Sequence, residues 1–361
     1  MIPERYAGPE RRRPNQPPYT GPERRGVPDS TGLDRGRSSA LDGLRAFAAL
    51  FVAAFHLSTV TGVSFGPLDP IVRGGDSGVY LFFALSGYLL YKPFVRGRVD
   101  LSEYAAKRSA RILPGYFVAL VGLTVITGSQ LPLEHPLPFL TLTASYDLSL
   151  RGFLGNAWTL AAEILFYVTL PLLALAVRGR EVPALVGLGI ASAVLVVVHR
   201  LLLTNENVWM ASTYPFVFHA FVPGMLLAVL EVRHPFRFHR LRRWPYLAVG
   251  VIYLLLGALT TILPTALLTG FGTALVMGWL LHRTLPGARV LSFAGGASYA
   301  MYLWHKDAFI AFGPWLGLAI ALVASVLSWQ LIERPILARV HALVARRRVA
   351  LAAQPLPVPV P

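Results

Sequence analysis

The 361-residue chain contains no cysteine, which removes disulfides, cysteine-based zinc sites and thiol nucleophiles together. Acidic residues are scarce, 18 Asp and Glu against 33 Lys and Arg, and charged residues make up only 14%. A soluble domain of average make-up carries about 25%. Apolar residues take their place at 55%. They fall in blocks of about 17–22 residues, the length that crosses a hydrocarbon core of roughly 30 Å. The chain therefore reads as an all-α integral membrane protein.

Apolar spans are expected near residues 40–60, 77–94, 112–129, 157–177, 183–202, 213–231, 245–262, 265–282, 293–309 and 312–332. The formal net charge of +15 suggests nucleic acid at first sight, but its distribution argues otherwise. If the N-terminus lies inside, only Arg73, Arg151 and Arg200 fall in outer loops, while the other loops and tails are basic. That asymmetry is the positive-inside pattern. It predicts about ten transmembrane helices in the plasma membrane, both termini cytoplasmic, with the lipid bilayer and not nucleic acid as partner.

Residues 1–38 differ from the rest. They are rich in Pro, Gly and Arg, and GPERR occurs twice, at Gly8–Arg12 and Gly21–Arg25. No apolar run precedes residue 40, so the segment does not read as a secretory signal. It is expected to be a disordered basic cytoplasmic tail. Residues 39–336 form the membrane domain, and 337–361 read as a second cytoplasmic tail after a basic stop.

Chemistry concentrates where polar groups interrupt the spans. Arg45 and His56 lie eleven residues apart in LDGLRAFAALFVAAFHLS. Eleven helical steps return to nearly the same azimuth, so both side chains face one way, roughly 16 Å apart along the axis. An arginine at mid-bilayer costs on the order of 3 kcal/mol and needs a partner or a watery cavity. Glu163 stands about two turns inside the span that opens GNAWTLAAEILFY, where a carboxylate must be protonated or paired. Asn156 just before it reads as a helix N-cap.

Further along, FAGGASYAMYLWHKDAF brings Ser298, Tyr302 and His305 onto one helical face, with Lys306 and Asp307 beside them. Ser86 and Gly87 interrupt an aromatic helix, a pattern for close helix packing and, secondarily, for a site wall. AAKRSARILPGY sets Lys107, Arg108 and Arg111 at the end of a cytoplasmic loop, as a topological anchor or as a clamp for phosphates. In WQLIERP, Glu333 is expected at a helix C-terminus, paired with Arg108 or Arg111, with Pro335 blocking continuation. The whole sketches a channel with a positive inner mouth and a His/Glu centre toward the outer leaflet.

Taken in order, LDGLRAFAALFVAAFH, GVYLFFALSGYLL, KRSARILPGY, NAWTLAAEILFY, SYAMYLWH and LIERP resemble the motifs of membrane acyltransferase family 3, with the R-x10-H spacing at Arg45 and His56. The resemblance spans residues 41–335. It implies ten helices, an acyl-CoA donor (acetyl being the commonest acyl group) and O-acylation of a carbohydrate, glycolipid or glycosylated metabolite. Some members carry an extracytoplasmic esterase-like domain, which is not expected here. No permanently bound cofactor and no metal site are expected. In such an enzyme His56 would be the general base, or the site of an acyl-histidine intermediate. Glu163 or His305 would orient it. Arg45 would bind the donor or polarise its carbonyl, and Arg108 and Arg111, with Ser86 in the wall, would hold the CoA. Ten helices with intramembrane charges also suit a transporter of a glycan or lipid intermediate, and the Arg/Pro tails suit a scaffold.

Overall fold

The computed structural model describes residues 38–97, 99–202, 213–214, 216–260, 263–283 and 285–352. The expected N-terminal tail with both GPERR copies, and the segment beyond 352, lie outside the described residues. Ten helices carry the architecture described below: α1 (Ser39–Thr61), α2 (Gly78–Val95), α3 (Leu101–Thr127), α4 (Trp158–Ala176) and α5 (Glu181–Leu202). They continue with α6 (Val222–Arg233), α7 (Trp244–Ala258), α8 (Leu263–Leu280), α9 (Ala288–Leu327) and α10 (Arg334–Ala352). No strand occurs among the described residues.

Seven helical stretches among these residues are long and apolar enough to cross a membrane, the last being Ala288–Ala350. Their outward faces are apolar, with Val125, Val168 and Leu172 all at least two-thirds exposed. Such faces suit lipid, since the backbone polar groups are satisfied within each helix. α6 and α7 are shorter than the spans expected there, 12 and 15 residues, or about 18 and 22 Å at 1.5 Å per residue. α9 covers two expected spans in one helix of 40 residues. Gly313 divides it, at φ 72° and ψ −171°, and Pro314 follows. That conformation is open to glycine and costly for other residues.

Two boundaries differ from the sequence reading for local reasons. Asp100 caps α3, its carboxylate accepting from the N–H groups of Ser102 and Glu103. Those bonds, with the Ser102 hydroxyl first, hold the Asp100 carboxyl below its ordinary range. The cap starts α3 about eleven residues before the expected span, so Lys107, Arg108 and Arg111 ride on the helix rather than in a loop. Pro335 does not end the helical path either. A π-helical turn (Ser328–Glu333) intervenes, and Pro335 follows it as the second residue of α10 without breaking the path. Residues 337–352, read as tail, are therefore helical. Arg348 forks onto Glu103 and Arg347 donates to Ser102, tying α10 to the start of α3.

α1 packs chiefly along α9 and then against α2, while α2 crosses α6 and α7 pairs with α8. The α2–α6 crossing brings backbones together at two glycines. A Cβ at Gly87 would sit 2.2 Å from the Phe221 carbonyl oxygen, and one at Gly224 would sit 1.8 Å from that of Ala84. Beside it, Phe221 stacks between Phe83 and Phe166, with centroids 4.6 and 4.1 Å away. This aromatic column joins α2, α4 and the start of α6.

Candidate active site

α1 buries Asp42, Ala49, Val52 and Ala53, and Arg45 and His56 share that side. Arg45 reaches back to Asp42 at 3.4 Å, an i,i+3 pair that compensates two charges on one helix. Eleven residues on, His56 meets α9. Its Nδ1 lies 2.9 Å from Nε2 of His305 and 3.2 Å from the Val52 carbonyl oxygen.

Bond chemistry assigns the protons. His305 is fully buried, and its Nδ1 is 2.8 Å from the Met301 carbonyl oxygen. A carbonyl only accepts, so Nδ1 of His305 carries hydrogen and its Nε2 offers a lone pair. Nδ1–H of His56 then donates to His305, leaving Nε2 of His56 as the basic atom.

His56 lines a cavity of about 390 Å³ whose walls also include Asp76, Tyr80, Arg151, Trp158 and Lys306. A second cavity of the same volume lies toward α10, lined by Arg45, Ser86, Lys107, Arg108, Glu163 and His341 among others. Val79 and Tyr302 line both. Tyr302 is held firmly at this partition. Its hydroxyl donates to the Asn156 carbonyl at 2.9 Å and accepts from Thr159 at 3.0 Å. The Asn156 amide donates in turn to the Tyr302 carbonyl.

This second cavity is rich in cations. Arg108 lies over the Tyr167 ring at 6.0 Å, and its buried Nε has no partner. Arg111 sits between the rings of Tyr299 and Trp329 at 5.7 and 5.6 Å, and 4.0 Å from the buried Glu333 carboxylate. Ser328 donates to the same carboxylate at 2.9 Å.

The family model for an acyltransferase domain matches residues 38–334, a stretch that contains the histidine pair and all of the lining of both cavities except Leu337 and His341. The chain belongs to membrane acyltransferase family 3. It is 31% identical to the exopolysaccharide production protein ExoZ of Rhizobium meliloti, over 80% of this chain and 95% of that one. Nodulation protein 10 of Rhizobium leguminosarum bv. viciae is 28% identical over 75% and 84% of the two chains. The peptidoglycan O-acetyltransferase OatA of Listeria monocytogenes is 25% identical over 85% of this chain and 57% of its own. No solved structure matches.

This membrane O-acyltransferase brings some of the expected residues together and separates others. Arg45 and His56 share a face but open on different cavities, so Arg45 does not stand beside the carbonyl that His56 would serve. Glu163 does not orient His56. Its Oε1 accepts from Ser86 at 2.6 Å and Tyr167 at 2.7 Å, in the cationic cavity on the other side of Tyr302. Ser86 is thus both a cavity wall and a carboxylate partner. His305 takes the place against His56. Glu333 pairs with Arg111, as one of its two expected partners. Asn156 is not an N-cap, because its amide is turned to Tyr302 and α4 begins at Trp158. Asp307 turns from the cavity and accepts from the N–H of Leu154 at 3.0 Å, while Lys306 lines it. Asp76, Arg151, Trp158 and His341 were not singled out from sequence as site residues. Arg151 looked like a stray outer-loop charge and His341 like part of a tail; only packing reveals their place.

Proposed function

We propose that this acyltransferase carries an acyl group, commonly acetyl, from cytoplasmic acyl-CoA to a hydroxyl of a carbohydrate or glycosylated acceptor on the outer side. The observation that carries the reading is the pair of cavities meeting at Val79 and Tyr302, one cationic and one lined by His56 with His305 behind it. Ten crossings with both termini cytoplasmic would put the cationic cavity inside, where the positive-inside pattern places Lys107 and Arg108. The donor's phosphates suit those cations, since guanidinium and ammonium groups make charge-assisted bonds to phosphate oxygens. Arg45 and His56, roughly 16 Å apart along α1, would then serve the two ends of one extended donor. The relatives' names, an exopolysaccharide production protein and a peptidoglycan O-acetyltransferase, favour a cell-envelope carbohydrate as acceptor.

In the transfer step Nε2 of His56 takes the proton of the acceptor hydroxyl as its oxygen attacks the thioester carbonyl. The C–S bond breaks, and the imidazolium returns the proton to the leaving sulfur. His305 accepts from Nδ1–H throughout, holding the ring and stabilising the cation it briefly becomes. An acyl-histidine on Nε2 is the two-step variant of the same geometry.

The test is CoA release by purified protein in detergent, followed with a thiol reagent that meets no cysteine of the protein itself. Release from acetyl-CoA that is stimulated by an envelope glycan extract and lost in His56→Ala is expected. Release unaffected by that substitution would remove His56 as base. No release by folded wild-type protein would turn the reading toward transport.

A further inference from the structure

Two ion pairs bind the first turns of α3 to the helical path that returns beside it. Arg348 forks onto Glu103, its Nε 2.7 Å from one carboxylate oxygen, and Arg111 lies 4.0 Å from Glu333. The order of partners reverses between the two, so α10 runs antiparallel to α3. Halfway along, Lys107 and Arg108 on α3 stand level with His341, seven residues from Arg348 and eight from Glu333. Leu337, His341 and Arg348 share one face of α10, at steps of four and seven residues.

Each outer rung of this ladder joins a cation to a carboxylate, whereas the middle rung gathers three basic side chains. Lys107, Arg108 and His341 line the cationic cavity together, with Leu337 one turn before His341. The charges of Lys107 and Arg108 reach His341. Lys107 also leans toward Glu103 at 3.5 Å, but Arg348 already forks onto both oxygens of that carboxylate. The buried Nε of Arg108 has no partner among the described residues. Leu337 and His341 lie beyond residue 334, where the match to the family model ends, so family membership alone assigns them nothing.

We propose that His341 of α10 completes a phosphate site with Lys107 and Arg108 for the nucleotide end of the acyl-CoA donor, and that the Arg348–Glu103 fork is the strap that keeps it there. The inference rests on the acyl-CoA reading above and adds to it one binding residue and one positioning pair. Phosphate oxygens accept from an imidazole N–H, an ammonium and a guanidinium alike, most strongly where the donor is charged. Arg108 supplies a planar fork and Lys107 a point charge, while His341 approaches from the other helix and closes the site from that side. A phosphate there would give the middle rung the negative charge that Glu103 and Glu333 give the outer two.

The experiment measures equilibrium binding of CoA and of pantetheine, which carries no phosphate, to the full-length protein in detergent. His341→Ala should weaken CoA about tenfold, the scale of one hydrogen bond to a charged group, and leave pantetheine unchanged. His341→Arg should keep the affinity for CoA. Arg348→Gln should weaken CoA by a smaller factor, and adding it to His341→Ala should cost nothing more, because the strap acts through His341. Dephospho-CoA, which lacks only the ribose phosphate, locates the contact: a loss confined to CoA assigns that phosphate, and an equal loss with both assigns the pyrophosphate. Unchanged CoA affinity in His341→Ala overturns the site. So does an equal weakening of pantetheine, which would make His341 a wall and not a phosphate ligand. Losses that add in the double variant remove the strap. Failure of the folded wild-type protein to bind CoA at all strikes the acyl-CoA reading instead.

Discussion

Nε2 of His305 stands 2.9 Å from Nδ1 of His56, across 249 residues of sequence. A carbonyl one turn before His305 fixes its tautomer, and His305 fixes that of His56. A base oriented this way needs no carboxylate beside it. The partner is neutral, so it stabilises an imidazolium less than an aspartate would, but it adds no second charge to the membrane interior.

His305→Ala should therefore lower kcat for CoA release by about 10²-fold, the lower end of what positioned acid–base catalysis supplies. The KM for acyl-CoA should not move, because His305 faces away from the cationic cavity. His305→Gln should recover part of the rate, since its carbonyl oxygen can accept from Nδ1–H of His56. The pH profile has a defined sign. Only unprotonated Nε2 is a base, so kcat/KM should rise with pH through one ionisation and then level. A donor KM that rises while kcat holds would make His305 a binding residue.

Arg108 and Arg111, one helical turn apart, should fail in different ways. Nε of Arg108 has no protein partner, so Arg108→Ala should raise the acyl-CoA KM about tenfold, the worth of one charge-assisted bond. Arg111 compensates Glu333, which is fully buried. Arg111→Ala leaves that carboxylate with the Ser328 hydroxyl but no counter-charge, at a cost on the order of 3 kcal/mol, seen as a lower Tm in detergent. Glu333→Gln in the same chain should restore the Tm. Equal KM changes with unchanged Tm in both single variants would refute the distinction.

How much of this was visible in the sequence depends on range. The azimuth shared by Arg45 and His56 follows from helical periodicity alone, and the close approach at Gly87 from the small residues that interrupt an aromatic helix. His305 was one of two candidates to orient His56, and the choice of it over Glu163 depends on α1 lying against α9. Glu163 illustrates the same limit. Its depth called for a partner, but the choice among Ser86, Tyr167 and a histidine was set by how α2 and α4 pack. α3 was read too short because hydropathy marks where lipid begins, whereas the Asp100 cap marks where the helix begins. The path through Pro335 was missed because a π-helical turn has no plain sequence signal.

Tyr302 makes a prediction about the acyl group. With Val79 it lines both cavities, so an acyl group passing from the donor side to His56 passes these two side chains. The two hydrogen bonds on its hydroxyl keep the ring from swinging aside. Wild-type protein should thus favour acetyl-CoA over butyryl-CoA, and Tyr302→Ala should narrow that ratio by about tenfold, a size consistent with one or two methylenes in an apolar pocket. Tyr302→Phe keeps the volume and loses the bonds, so it should change the ratio less than Tyr302→Ala. Rates with the two donors measured side by side decide this. An unchanged ratio in Tyr302→Ala would place the acyl path elsewhere.

Gly224 tests the frame that holds both cavities. A Cβ there would lie 1.8 Å from the Ala84 carbonyl oxygen, and one at Gly87 would lie 2.2 Å from that of Phe221. Each obstacle is backbone, which cannot rotate away as a side chain can, so α2 and α6 must separate. Overpacking of this kind costs about 1–3 kcal/mol, and here it also displaces Phe221 from between Phe83 and Phe166. Gly224→Ala and Gly87→Ala should each lower the Tm in detergent and reduce the yield of monodisperse protein. Because both act on the same crossing, the double variant should lose less than the two losses added together, as for coupled neighbours. Full additivity would mean that the two glycines relieve separate contacts, and the crossing would not act as one unit.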